Sequence, residues 1–351
     1  MSPGAPRIAV AGAGVVGLAV SLALLERGAV VDLYDPLSRP SASAVAAGML
    51  APAFESALDP LAGGFPLLAR ALALWPALAE RVEAKGAIAR SGGLYVAEGA
   101  RLDTLLQALR TAGAEAELIS HEKARALQPA LSDHIAGAVL APRDARVAAE
   151  PMLSAMRTAF VRAGGRVVAQ RLQATGEGFA PKHPADGVVV AAGYESAGLA
   201  AAAPELAILQ PIKGQLLSFP GAAPERGPMV RGEGIYISPQ VGGAVAGATM
   251  EHGISDLELD PAALQALHQR ATSLMPGLGR ARREGRCGIR AATPDGLPLV
   301  GASARPGVFL ATGMRRNGWL LAPLVAEMTA AAVFGDTVPP DAGLFDPRRF
   351  G

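Results

Sequence analysis

Hydrophobic and polar positions alternate with several different periods along the chain, and each period predicts a different element. Ile8 to Val10 is a short continuous apolar run, as expected of a buried strand. A glycine-spaced turn, Gly12 to Gly17, leads into Val15 to Arg27, an apolar helix stopped by Gly28. A second strand, Val30 to Tyr34, ends at Asp35-Pro36. Strand, helix and strand in this order predict a βαβ unit and a parallel sheet. Residues 36 to 64 are rich in small residues and read as loop. Pro66 to Lys85 has helical spacing, with Pro76 demanding a kink or break. Gly92 to Ala97 and Ile135 to Leu140 read as strands, and Arg101 to Ala112 and His121 to Leu127 as helices. Glu150 to Ala163 is a helix with Pro151 in its favoured first turn. Val167-Val168 and Val188 to Gly193 return to buried strand.

Further along the pattern changes. Lys213 to Phe219, Gly234 to Ser238 and Ala244 to Met250 alternate and are punctuated by Pro and Gly, which predicts an antiparallel sheet. Pro261 to Leu274 is helical, Val308 to Thr312 is a short buried strand, Trp319 to Phe334 is a long last helix, and residues 181–184 read as surface loop. The expected fold class is therefore α/β. A Rossmann-like domain that uses both chain ends is interleaved with an α+β domain carrying the antiparallel sheet.

Length and composition narrow the function. The chain has 351 residues, a prior of two domains, and 50% hydrophobic residues, enough for a large core. A net charge of +1 without blocks of like charge argues against nucleic acid as a partner. The single Cys287 excludes an intrachain disulfide and a cysteine metal cluster, and the five histidines lack ligand spacing, so no metal is expected. The apolar run Ile8 to Leu25 after Arg7 resembles a signal peptide or marginal membrane span. The glycines at 12, 14 and 17 and the strand that follows favour a nucleotide-binding turn, so no stable membrane insertion is expected and a cytoplasmic location is the working assumption.

In Gly12-Ala-Gly14-Val15-Val16-Gly17 the first glycine permits the sharp turn. The second lets the backbone approach a pyrophosphate, and the third lets helix and strand pack closely. The helix N-terminus at Val15 and Val16 then favours phosphate charge. Asp35, ending the next strand, can accept hydrogen bonds from ribose hydroxyls; Asp32 is a mid-strand competitor. These residues point to a dinucleotide without choosing between FAD and NAD.

The choice comes from a resemblance. Arg290-Ala-Ala-Thr293-Pro294-Asp295-Gly296 with Ala311-Thr312-Gly313-Met314-Arg315-Arg316-Asn317-Gly318 resembles the D-amino-acid oxidase superfamily, in particular its glycine oxidase branch. So do Ser43 to Leu50, Gly193-Tyr194-Glu-Ser196, Gln210 to Leu216, Gly247 to Met250 and Phe345 to Phe350, all in the family's order. The resemblance implies non-covalent FAD in a GR2-type domain. It implies that Ala46, Ala47, Gly48 and Met49 pass over the flavin and that Gly193 lies on the adenine side. It also implies that Gly313, Arg316, Asn317, Gly318 and Trp319 bring the last helix up to the flavin pyrimidine ring. Domain ranges follow as 1-85, 143-208 and 288-351 for the cofactor and 86-142 and 209-287 for the substrate.

By the same resemblance Arg290 grips an amino-acid carboxylate, Tyr236 helps hold it, Met250 lines the pocket, and Arg316 offers its backbone carbonyl near the amine. A guanidinium suits that task because it is planar and bidentate. The implied reaction passes a Cα hydride to flavin N5, with hydrolysis to a keto acid and ammonia and with hydrogen peroxide formed from oxygen. The implied substrates are glycine, sarcosine and small D-amino acids, the implied pathway is thiamine thiazole synthesis, and a homo-oligomer is expected. Departures from the branch are Met314 where histidine is usual, Gly234 near where the branch tends to carry a polar residue or histidine, and a short segment from Gln170 to Gly187. Cys287 stands one residue away from where sarcosine oxidases tether FAD. Two competitors remain: a dehydrogenase that passes electrons to a quinone, and a flavin-binding subunit without turnover.

Overall fold

The computed structural model describes residues 4–37, 41–176 and 178–350. Residues 1–3, 38–40, 177 and 351, parts of the ranges, loop and shortened segment named above, lie outside the described residues. Two large sheets share the chain. The first has six strands in the order Leu299–Ala302, Val308–Thr312, Gly187–Val190, Arg7–Ala11, Val30–Tyr34 and Arg166–Val168. Its ladders are parallel except at the Leu299–Ala302 edge, which is antiparallel. Arg7–Ala11 is central, pairing Ala9 with Val188 on one side and with Asp32 on the other.

The second sheet has nine strands and is antiparallel apart from the parallel pairing of Met229–Gly232 with Gly93–Val96. Its spine is the long strand Gln210–Pro220, which pairs with Gly243–Gly247 and with Glu284–Ala292. In that register Ile212 faces Arg290 and Gly214 faces Gly288.

The first helix, Val15–Glu26, is buried from Val15 to Leu24, and the last helix, Gly318–Phe334, is buried almost as fully. The two belong to one core, together with Gly64–Arg81 and Ala149–Arg162. This explains the apolar stretch near the N-terminus: a helix covered on all sides by protein has no polar face to show. Among the described residues no helix is long and apolar enough to cross a membrane. Gly64–Arg81 runs through Pro76 as one helix, so of the expected kink or break there is no break. Pro323 sits inside the last helix and withholds the N–H that Trp319 O would accept. The indole of the fully buried Trp75 donates to that carbonyl at 3.2 Å.

Several expectations are corrected. Within the region read as loop lie a short helix Ala42–Val45, a strand Met49–Leu50 and a helix Pro52–Leu58. Ser41 caps the first, its side chain accepting from Ala44 N at 3.3 Å. The helix Pro52–Leu58 is capped from far away: Asp144 accepts from Ala53 N at 2.9 Å and Phe54 N at 3.4 Å. Strands Met229–Gly232, Glu284–Ala292 and Leu299–Ala302 were not expected. All three are held by ladders to strands that were.

Candidate active site

One large cavity, about 1850 Å³, runs from the first βα turn to the antiparallel sheet. Gly12, Gly14, Val15, Val16 and Asp35 line one end. The segment Ala46, Ala47, Gly48 and Met49 lies along it, with Gly193, Gly313, Asn317, Gly318 and Trp319. Tyr236, Met250, Arg290 and Arg316 are also on its wall. Of the residues proposed to touch cofactor or substrate, Gly17 is the one that does not line the cavity.

Gly17 is needed one layer back. A Cβ there would fall 1.8 Å from the carbonyl oxygen of Gly12, and Gly12 itself has φ +101° with a virtual Cβ 2.6 Å from Ala191 O. The turn therefore closes tightly onto both the helix and the neighbouring strand. Gly14 caps the first helix without any side-chain hydrogen bond, and Asn317 does the same for the last. Both N-termini open on the cavity, and Ser43 bridges them. Its hydroxyl accepts from Val15 N at 3.1 Å and its carbonyl accepts from the Trp319 indole at 3.1 Å. Glycine-lined turns and helix N-termini facing an elongated cavity fit a pyrophosphate-containing dinucleotide.

The two acidic candidates separate cleanly. Asp35 lines the cavity, its Oδ2 taken by Arg157 at 2.8 Å and its Oδ1 accepting from Leu37 N at 3.0 Å. Asp32 is bound in two-point fashion by Arg166 and is not on the cavity wall. Cys287 is also off the wall, three residues from Arg290 and so on the opposite face of their strand. Burial pushes its thiol pKa up.

Arg290 is the most exacting feature. Its guanidinium lies against Gly214, where a Cβ would come within 2.4 Å of Nη2 and 2.5 Å of Cζ. Nη1 donates to Thr249 O at 3.2 Å and contacts Met250 Sδ at 3.3 Å. Among the described residues it has no carboxylate partner. Burial pulls its pKa below the ordinary arginine value, and the charges of Arg316 and Arg315 act in the same direction. An anion arriving here would relieve that penalty. Tyr236 is half-buried, and its hydroxyl has no hydrogen-bond partner among the described residues. Burial raises its pKa against the opposing pull of Arg290, Arg231 and Arg316.

Sequence reasoning missed the acids that balance these cations. Glu55 and Arg231 form a buried ion pair, and Asp59 pairs with Arg315. The Arg316 side chain lies 3.5 Å from Glu55 Oε2 and 3.7 Å from Asp59 Oδ2. It thus joins a charge network, a role beyond its backbone carbonyl. Glu55 is the one charge in the mostly apolar stretch Ala51 to Ala57, and that is the one signal that could have marked it. Asp144, fully buried beneath the helix that carries Glu55 and ends at Asp59, has its pKa raised by burial to about 7.

Known proteins resemble this chain in sequence and in fold. A family model described as FAD dependent oxidoreductase (DAO) matches residues 7–332. A glycine oxidase from Geobacillus kaustophilus is 30% identical, the match covering 93% of this chain and 92% of the relative. The crystal structure of glycine oxidase from Geobacillus kaustophilus superposes with a TM-score of 0.86 at 28% identity, covering 98% of this chain and 99% of the other. A bifunctional protein ThiO/ThiG from a Nostoc species is 32% identical over 92% of this chain, which spans about half (52%) of that relative's length.

Proposed function

This chain belongs to the DAO family of FAD-dependent oxidoreductases, and from that premise we propose that it oxidises the amine of glycine or another small amino acid. It is an FAD-dependent amino-acid oxidase of the glycine oxidase/ThiO type. The observation that carries the substrate reading is Arg290: a half-buried guanidinium on the cavity wall, without a carboxylate partner among the described residues, held in place by Thr249 and Met250. A planar fork of this kind binds a carboxylate in two-point fashion and fixes the direction of the bond to Cα. Tyr236, on the same wall with a free hydroxyl, supplies a further donor.

Bound FAD supplies two-electron acceptance. The first βα turn, the segment 46–49, Gly193 and the loop 313–319 would hold it. The position of Cys287 off the wall supports non-covalent binding. Oxygen is the proposed acceptor, with an imino acid hydrolysed to keto acid and ammonia, and hydrogen peroxide as co-product. In the proposed division, residues 1-85, 143-208 and 288-351 serve the cofactor and 86-142 and 209-287 the substrate. The strand Glu284–Ala292 crosses that division and carries Arg290 into the antiparallel sheet.

The test is an anaerobic absorbance titration of the holoenzyme with glycine, sarcosine and D-alanine, followed by admission of air. Bleaching by one of them and recovery in air with peroxide formation is the expected result. Flavin bands that no amino acid bleaches would refute the substrate reading, and recovery only with an artificial dye would refute oxygen as acceptor.

A further inference from the structure

We infer that Glu55 recognises the amine of the substrate: its free carboxylate oxygen accepts an N–H from a molecule whose carboxylate is held by Arg290. The inference rests on the amino-acid reading of the site and names the residue that makes it selective for amines. Glu55 is 3% exposed and lies on the cavity wall. One oxygen is committed to Arg231, while Oε2 has no hydrogen-bond partner. Arg316 Nη2 is 3.5 Å from it, at the outer limit of a hydrogen bond, while Nε of the same guanidinium lies 3.7 Å from Asp59. A buried carboxylate oxygen left without a donor is costly, and such groups in native proteins call for an explanation.

The surroundings say what kind of donor fits. Arg290 and Tyr236 share the cavity with Glu55 and both feel its charge. The wall therefore offers an unpaired cation and an acid with one oxygen to spare, which is the complement of an α-amino acid. A simple carboxylate would satisfy Arg290 and leave Oε2 bare. A hydroxy acid would offer a neutral O–H, a weaker partner for a carboxylate than an ammonium N–H. Glu55 is also pre-set: its helix, Pro52–Leu58, is pinned by the Asp144 cap, and Arg231 lies over the Phe54 ring at 5.9 Å.

The experiment compares two ligands of the same carbon skeleton on the holoenzyme by calorimetric titration. 2-Aminoisobutyrate carries amine and carboxylate but no Cα hydrogen to lose; isobutyrate lacks the amine. Wild type is expected to prefer the amino ligand by about tenfold or more, as for a charge-assisted bond. Glu55→Gln is expected to bring the preference to within about threefold and leave isobutyrate affinity nearly unchanged. The double variant Glu55→Gln with Arg231→Gln removes both charges of the buried pair, so its result does not depend on tolerating an orphaned arginine. In both variants KM for the oxidised amino acid should rise by a similar factor while inhibition by acetate stays as in wild type.

An unchanged preference, or equal weakening of both ligands, would overturn the assignment and leave Glu55 a purely structural partner of Arg231. A wild type that turns over no small amino acid would overturn the underlying reading as well. Turnover with an unaltered preference in the variants would overturn the amine assignment alone.

Discussion

Gly214→Ala separates the geometry of the site from its stability. The added methyl would stand 2.4 Å from Arg290 Nη2 and 2.5 Å from Cζ and Nη1, where ordinary contact begins near 3.4 Å. The guanidinium must therefore retreat by about 1 Å, and a shift of that size in a positioning group costs on the order of 100-fold in rate. That corresponds to about 2.7 kcal/mol of lost transition-state stabilisation. The fold has little reason to suffer. Gly214 lies in the extended strand Gln210–Pro220 and does not use the left-handed region, so alanine adds no backbone strain. The atoms that yield are the far end of a long side chain.

The assay is kcat/KM for the amino acid that bleaches the flavin, measured with FAD content and thermal midpoint on the same preparation. The expected result is a loss of about 100-fold with cofactor content and Tm close to wild type. A kcat/KM within threefold of wild type would show that Arg290 does not hold the substrate in this position. Loss of folded protein would show that the strand, and not the guanidinium, was the rigid partner.

Other perturbations should report on separate parts of the molecule. Arg290→Ala should lower kcat/KM by on the order of 1000-fold through loss of two charge-assisted bonds, with FAD retained after gel filtration; full activity would remove the carboxylate assignment. Gly17→Ala forces a methyl to within 1.8 Å of the Gly12 carbonyl, so the turn must open and the purified protein should lose most of its FAD. Asp144 has a folded pKa of about 7, above its ordinary value, so it stays protonated in the fold at pH values where the unfolded chain is ionised. Stability then falls as pH rises through that window, by about 1.4 kcal/mol per unit. Between pH 5 and 8 wild type should lose about 3 kcal/mol relative to Asp144→Asn in urea unfolding, and parallel pH profiles would contradict the burial argument. Trp75→Phe removes the indole that serves Trp319 O beside Pro323 and should cost about 2 kcal/mol in the same assay.

The parts of the fold legible in the sequence are those whose causes are local. Pro261–Leu274 starts and stops where its signals place it, because Asp260 caps it through Ala262 N at 2.8 Å and Pro261 occupies the first turn. Val308–Thr312 is equally plain, an apolar run between turns. The strand Glu284–Ala292 has the opposite character. Its Glu-Gly-Arg-Cys-Gly-Ile-Arg composition argues against a strand, and it exists because Gln210–Pro220 offers it a nine-residue ladder. No reading of a window fifteen residues wide contains that information.

The same division runs through the site. Arg290 was singled out because it opens a contiguous motif, Arg290 to Gly296, that resembles the family's. Arg231 was not, because among 32 lysines and arginines nothing local distinguishes it; its role is assigned by Glu55, 176 positions away. Glu55 in turn depends on Asp144, which caps its helix from another 90 residues along the chain. On the proposed reading the motifs mark the groups aimed at the ligands, while the charges around those groups are recruited by tertiary contact. A relative with the Arg290 motif but without an acid at the position of Glu55 should keep its carboxylate grip and lose its preference for amines. Comparing binding of an amino acid with that of its deaminated counterpart in such a relative would test whether the two functions are as separable as their places in the fold suggest.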